Sequence, residues 1–138
     1  MNKPRTIFAY DFGLKNIGLA IGQEITNTAQ TFYTVQAKGG VPNWLELDKL
    51  VDDWSPELFV VGNPFNMDGS RSEMQDSIDK FSINIQNRYK IEVEKIDERL
   101  STREAMNRIN DETTDYKNSD KHSLSAQIIL ESWFREKN

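Results

Sequence analysis

Asp11-Phe12-Gly13-Leu14-Lys15-Asn16-Ile17-Gly18 joins two β-rich runs, Arg5-Thr6-Ile7-Phe8-Ala9-Tyr10 before it and Ile17-Gly18-Leu19-Ala20-Ile21-Gly22 after it. Side chains alternate along a strand, so Asp11 shares a face with Ile7 and Ala9, while Thr6, Phe8 and Tyr10 face the other way. Gly13 permits a tight reversal between the runs. A carboxylate at a strand end, beside glycines and a lysine, is suited to holding a divalent cation near a phosphate. The same residue in isolation could equally be a turn aspartate closing a hairpin.

Outward from this hairpin, residues 28–35, rich in Thr, Phe, Tyr and Val, predict a third strand, and Lys38-Gly39-Gly40 breaks the pattern. Pro42 suits a helix start, with Trp44, Leu47, Leu50, Val51 and Trp54 following at helical spacing. Leu58-Phe59-Val60-Val61, ended by Gly62, reads as a strand covered on both faces. Ser70 with Glu73 forms a capping-box pair ahead of the apolar stripe Met74, Ile78, Phe81 and Ile85. Residues 91–96 predict another strand. Ser101 with Glu104 forms a second capping box, leading a helix through Ala105 and Ile109. The polar residues 110–121 read as an exposed loop. A last helix over about 121–135 buries Ala126, Ile129, Leu130, Trp133 and Phe134.

Three adjacent strands followed by alternating helices and strands specify the α/β class: a meander extended by parallel strands through right-handed crossovers. Ligands of such sheets gather beyond the carboxyl ends of the parallel strands. That places weight on residues 62–69, on Asp97-Glu98-Arg99-Leu100-Ser101-Thr102, and on Asp11.

The 138 residues predict a single domain over 1–138. The absence of cysteine excludes disulfides and thiolate zinc sites. The first five residues run directly into a strand, which predicts neither signal peptide nor membrane span and a cytoplasmic location. A formal charge of −5 and a pI of 4.9 argue against nucleic-acid binding through net charge. Any such contact must come from a local site.

Asp97 and Glu98, between a strand end and a helix start, can act as metal ligands opposite Asp11, with Arg99 on a phosphate. They can also be a strand terminator and a solvated Glu98–Arg99 pair. The loop of residues 62–69 can present backbone N–H groups to an anion, or be an ordinary tight connection. Lys15, Arg71, Arg99 and Arg103 are the cations closest to these segments in sequence.

Together these segments resemble the YqgF/RuvX-like family, described as Holliday junction resolvases and as pre-16S rRNA nucleases. The resemblance spans nearly the whole chain. It rests on Asp11-Phe12-Gly13 with Lys15 and Ile17-Gly18, on Gly62 and Pro64 with Asn66-Met67-Asp68-Gly69, on Asp97 through Thr102, and on Ser123-Leu124-Ser125-Ala126-Gln127-Ile128-Ile129-Leu130-Glu131-Ser132. It implies an RNase H-like fold, a mixed five-stranded sheet flanked by helices. It also implies Mg²⁺ or Mn²⁺ as cofactor, with Asp11, Asp97, Glu98 and His122 as the metal-binding positions. Asp11, Glu98 and His122 are the catalytic set it implies, and Lys15, Asn66, Arg99 and Ser101 the substrate contacts. The implied partners are nucleic acid (pre-16S rRNA or branched DNA) and ribosomal precursor particles, for a monomer or a homodimer with no membrane association.

One position departs from the family pattern. The last helix of the family usually begins with an aspartate directly before the Ser-x-Ser-Ala stretch, and here that position is His122, the only histidine in the chain. Asp120 lies two residues earlier, which in a helix is a rotation of about 200°. His122, Ala126, Ile129 and Trp133 share one helical face. His122 can be a ligand or proton carrier, imidazole suiting Mn²⁺ better than Mg²⁺. It can mark a chain that binds RNA without cutting it, or it can serve the first turn of its helix. The expected activity is metal-dependent cleavage at the 5′ end of the 16S rRNA precursor. Resolution of four-way DNA junctions and non-catalytic ribosome assembly are the alternatives.

Overall fold

The computed structural model describes residues 4–64, 68–97 and 118–137, with only the backbone described over 118–120. The strands are β1 (Thr6–Asp11), β2 (Asn16–Gln23), β3 (Thr28–Lys38), β4 (Val41–Pro42), β5 (Leu58–Asn63) and β6 (Val93–Asp97). They form one sheet in the order β4-β3-β2-β1-β5-β6. The β1–β2–β3–β4 half is antiparallel, and β5 and β6 run parallel to β1. The described helices are α1 (Trp44–Trp54), α2 (Gln75–Tyr89) and α3 (Asn118–Lys137).

Alternation along β1 and β5 divides the core between the two faces of the sheet. Phe8, Tyr10, Phe59 and Val61 pack with Leu47 and Val51 of α1 and Ile78, Phe81 and Ile85 of α2. Ile7, Ala9, Leu58 and Val60 pack with Ala126, Ile129, Leu130, Trp133 and Phe134 of α3. The apolar stripes read from the sequence therefore face the sheet as expected. Burying each such aliphatic or aromatic side chain contributes about 1.5–3 kcal/mol. Asp11, being in step with Ile7 and Ala9, lies on the α3 face.

Several boundaries differ from the sequence reading. The sheet has six strands, not five, because Gly39 (φ 57°) and Gly40 (φ 84°) take the two left-handed positions of a tight hairpin turn. The chain therefore reverses there, and Val41–Pro42 pairs back onto Ala37 and Lys38. Pro42 thus ends a strand, and Asn43 caps α1, its side chain accepting from the N–H groups of Leu45 and Glu46. The Ser70–Glu73 pair is not a capping box: α2 starts at Gln75 with no side-chain cap. Ser70 is instead drawn into a local turn by Asp68, whose Oδ1 accepts from both its N–H (2.9 Å) and its hydroxyl (2.7 Å). The strand expected over 91–96 runs from Val93 to Asp97. The last helix begins at Asn118, inside the stretch read as loop. The second capping box and the helix through Ile109 lie outside the described residues.

Candidate active site

The candidate site lies at the carboxyl end of β1. In the antiparallel ladder Asp11 stands directly opposite Gly18 of β2. Residues opposite one another share a face, so a side chain at position 18 would stand beside that of Asp11 on the α3 side. Glycine leaves that place empty, and the backbone of α3 fills it. A Cβ built on Gly18 would collide with the carbonyl of His122 and would lie 2.9 Å from the amide nitrogen of Ser123. This close approach carries the start of α3 to the end of β1.

Ser123 fastens the approach. Its hydroxyl is buried and bridges two strands, donating to the Leu19 carbonyl and accepting from the Phe32 N–H, each at 2.8 Å. The β2–β3 register slips between Leu19 and Ala20, leaving Phe32 as the extra residue of a bulge. The serine hydroxyl thus satisfies two backbone groups that the bulge would otherwise leave unpaired. At the other end of α3, Trp133 Nε1 donates to Glu94 of β6 at 3.1 Å, and Lys137 pairs with the same carboxylate at 3.1 Å. The helix is therefore pinned at both ends. Gly18 and Ser123 were missed as site-forming residues in the sequence; a glycine inside an apolar strand run was the available signal.

His122 is partly buried, and desolvation lowers its pKa below the usual histidine value. Burial thus favours the uncharged imidazole, the form that ligates a metal or accepts a proton. The helix is continuous through Ser119–Lys121, so the backbone turns Asp120 about 200° from His122.

Asp97 ends β6 opposite Asn63 of β5. It alternates with Ile96, which packs on the α3 face, so Asp97 takes the parity of Lys95 on the α2 face. Lys95 pairs there with Asp79 of α2. Asp97 and Asp11 thus end neighbouring parts of the sheet on opposite faces. Lys15 is exposed in the β1–β2 turn, its carbonyl accepting from the Ala37 N–H at 2.9 Å. Arg71 is held by Asp76 at 2.8 Å and by Asp79 at 3.3 Å, which ties it to α2 instead of the Asp11 end. Asn66, Glu98, Arg99, Ser101 and Arg103 lie outside the described residues.

Among the described residues no three His, Asp or Glu side chains converge to hold a metal ion. The Asp11 carboxylate, at the strand end that the His122 backbone reaches, is by donor chemistry a ligand suited to Mg²⁺ or Mn²⁺. No helix among the described residues is long and apolar enough to cross a membrane.

The chain matches the profile of the RuvX family, described as a Holliday junction resolvase, over residues 5–136. It is similar to proteins named "Putative pre-16S rRNA nuclease" from Saccharophagus degradans (43% identity, 96% of this chain and 94% of the relative). The relative of the same name from Aeromonas salmonicida is 46% identical, with 96% of each chain covered. Among solved structures it resembles RuvC of Thermus thermophilus in complex with a Holliday junction substrate, with a TM-score of 0.61 and 14% identity over 96% of this chain and 95% of that one. The yeast mitochondrial Holliday junction resolvase superposes with a TM-score of 0.56 and 9% identity over 94% of this chain and 77% of that one. These likenesses give the fold as RNase H-like. A match across nearly the whole length, together with relatives above 40% identity, places the chain in the RuvX family.

Proposed function

We propose that this protein is a divalent-metal-dependent nuclease acting in the cytoplasm on the 5′ end of the 16S rRNA precursor. The observation that carries this reading is the seat of α3 on Gly18, which brings the His122 backbone to the strand end occupied by Asp11. A bound Mg²⁺ or Mn²⁺ would supply a Lewis acid for the phosphodiester and for the attacking water. Asp11 would hold the cation through its carboxylate oxygens. His122, kept uncharged by burial, would ligate beside it or accept a proton from the water. Glu98 is the remaining member of the proposed set. Asp97, whose place in the strand alternation puts it on the other face, is given no part in holding the cation.

A second activity, resolution of four-way DNA junctions, is favoured by the family description and by the RuvC likeness. It requires two sites related by a twofold axis, and hence a dimer. Incubating the protein with an end-labelled pre-16S fragment and, in parallel, a four-way DNA junction, each with Mg²⁺ and with Mn²⁺, separates the two. Site-specific cleavage of the RNA is the expected result. Cleavage of the junction alone would move the assignment to resolution. Tight RNA binding without cleavage, with activity gained on His122→Asp, would make the chain a binding factor that has lost the reaction.

A further inference from the structure

We propose that Lys15, Lys38 and the Gly39–Gly40 turn form a track for the sugar-phosphate backbone flanking the cleaved bond. The track leads from Asp11 across the antiparallel half of the sheet. It deepens the nuclease reading and rests on it. The chain carries a formal charge of −5, so a polyanion is not attracted by net charge. Many described cations are also neutralised in place: Arg5 holds Glu24 at 2.8 Å, Arg88 holds Asp48 at 2.7 Å, and Lys137 holds Glu94 at 3.1 Å. Among the described residues Lys15, Lys38 and Lys121 make no ion pair, and all three lie at the Asp11 end of the sheet. Lys15 directly precedes β2, Lys38 ends β3, and Lys121 adjoins His122 in α3. The other described lysines without one, Lys80 and Lys90, belong to α2 and its C-cap.

The two turns that carry Lys15 and Lys38 are stitched together. The Ala37 N–H donates to the Lys15 carbonyl at 2.9 Å, and the Gly40 N–H donates to the Leu14 carbonyl at 3.0 Å. Lys15 is three residues from Gly18, or about 10 Å along the strand from the Asp11 row. Lys38 lies four residues beyond Thr34, the partner of Gly18, or about 13 Å along β3 and one strand farther out. The unpaired charges thus recede from Asp11 in steps that a nucleotide chain can follow. At Gly39 nothing lies within 4 Å of where a Cβ would stand, so the turn admits a close backbone approach. The exposed apolar neighbours, Leu14, Val41 and Leu45, are aliphatic and provide no stacking platform for bases. Lysine point charges with no base contacts bind phosphates without regard to sequence. The ligand is therefore a polynucleotide strand, recognised by its sugar-phosphate backbone.

The test measures binding of fluorescent single-stranded RNA, and of DNA of the same sequence, by anisotropy over a range of salt. The proteins compared are wild type, Lys15→Gln, Lys38→Gln, the double variant and Lys80→Gln. Each track substitution should weaken binding several-fold and flatten the slope of log K against log salt by about 0.7. Lys80→Gln, on α2 and outside the track, should bind with the affinity and salt slope of wild type. An unchanged affinity and slope in the double variant, with wild type binding normally, would overturn the track and leave the nuclease reading standing. Wild type that binds with lysine-dependent slope but cuts nothing would uphold the track and overturn the nuclease. Wild type that binds neither polymer would overturn both.

Discussion

At the scale of single residues, the seat of α3 at the proposed site depends on one missing side chain and one hydroxyl. Gly18→Ala places a methyl group against the His122 carbonyl, and backbone cannot yield as a flexible side chain would. We expect a loss of about 1–3 kcal/mol in urea denaturation, accompanied by loss of cleavage; a fully active Gly18→Ala protein would mean that the position of α3 does not set the site. Ser123→Ala removes the partner of both the Leu19 carbonyl and the Phe32 N–H. It should cost about 1–3 kcal/mol, the usual penalty for buried groups left unpaired. A loss within error of zero would mean that the two strands close directly. Tyr10 gives the opposite expectation. Its hydroxyl is fully buried with no hydrogen-bond partner among the described residues, and burial raises its pKa well above that of an ordinary phenol. Tyr10→Phe should therefore leave stability unchanged or raise it by about 1 kcal/mol. A clear destabilisation would reveal a partner for that oxygen.

At the scale of elements, α1 and α2 are joined through Asp48. Its carboxylate accepts from Arg88 at 2.8 and 2.7 Å and from the Tyr89 hydroxyl at 2.6 Å, while the Arg88 guanidinium lies 4.5 Å from the Trp44 ring centre. The hydrogen bonds from Arg88, then that from Tyr89, hold the Asp48 pKa at about 2, against 3.8 for a free aspartate. A carboxylate with a depressed pKa stabilises the fold fully above the unfolded value and loses that contribution as pH falls through the folded one. Wild type should thus exceed Asp48→Asn in thermal stability above pH 4, and the gap should close toward pH 2. Because both side chains are more than one-third exposed, the gap should be small and shrink with salt. An equal gap at all pH values would mean that Asp48 contributes by packing alone. The apolar stripes of the three described helices and the alternation of β1 were legible in the sequence because each element buries a single regular face. The β4 hairpin and the α2 start were not. The first depends on two consecutive left-handed glycines, and in the second Asp68 captures the serine that would have capped the helix.

At the scale of the whole molecule, a net charge of −5 means that the proposed polyanionic substrate would have to be held by a local site, and among the described residues Lys15, Lys38 and Lys121 are cations without an ion pair at the Asp11 end of the sheet. The place of Asp11 was legible because β1 alternates cleanly up to it. The seat of α3 was less so, since a helix resting its backbone on a strand leaves only a glycine as its mark. Which face Asp97 takes depends on which helix covers Ile96, its neighbour in the alternation, and spacing alone does not say that Ile96 meets α3. If junction resolution were the activity, the protein should sediment as a stable dimer and cut paired strands in concert; a strictly monomeric protein would exclude it. The most direct test is cleavage of an end-labelled pre-16S 5′ fragment, with Mg²⁺ or Mn²⁺, by wild type and by an Asp11→Asn protein with an unchanged melting curve. Site-specific cutting by wild type that disappears in Asp11→Asn is the predicted result. Equal cutting by both proteins would contradict a reaction centred on the end of β1.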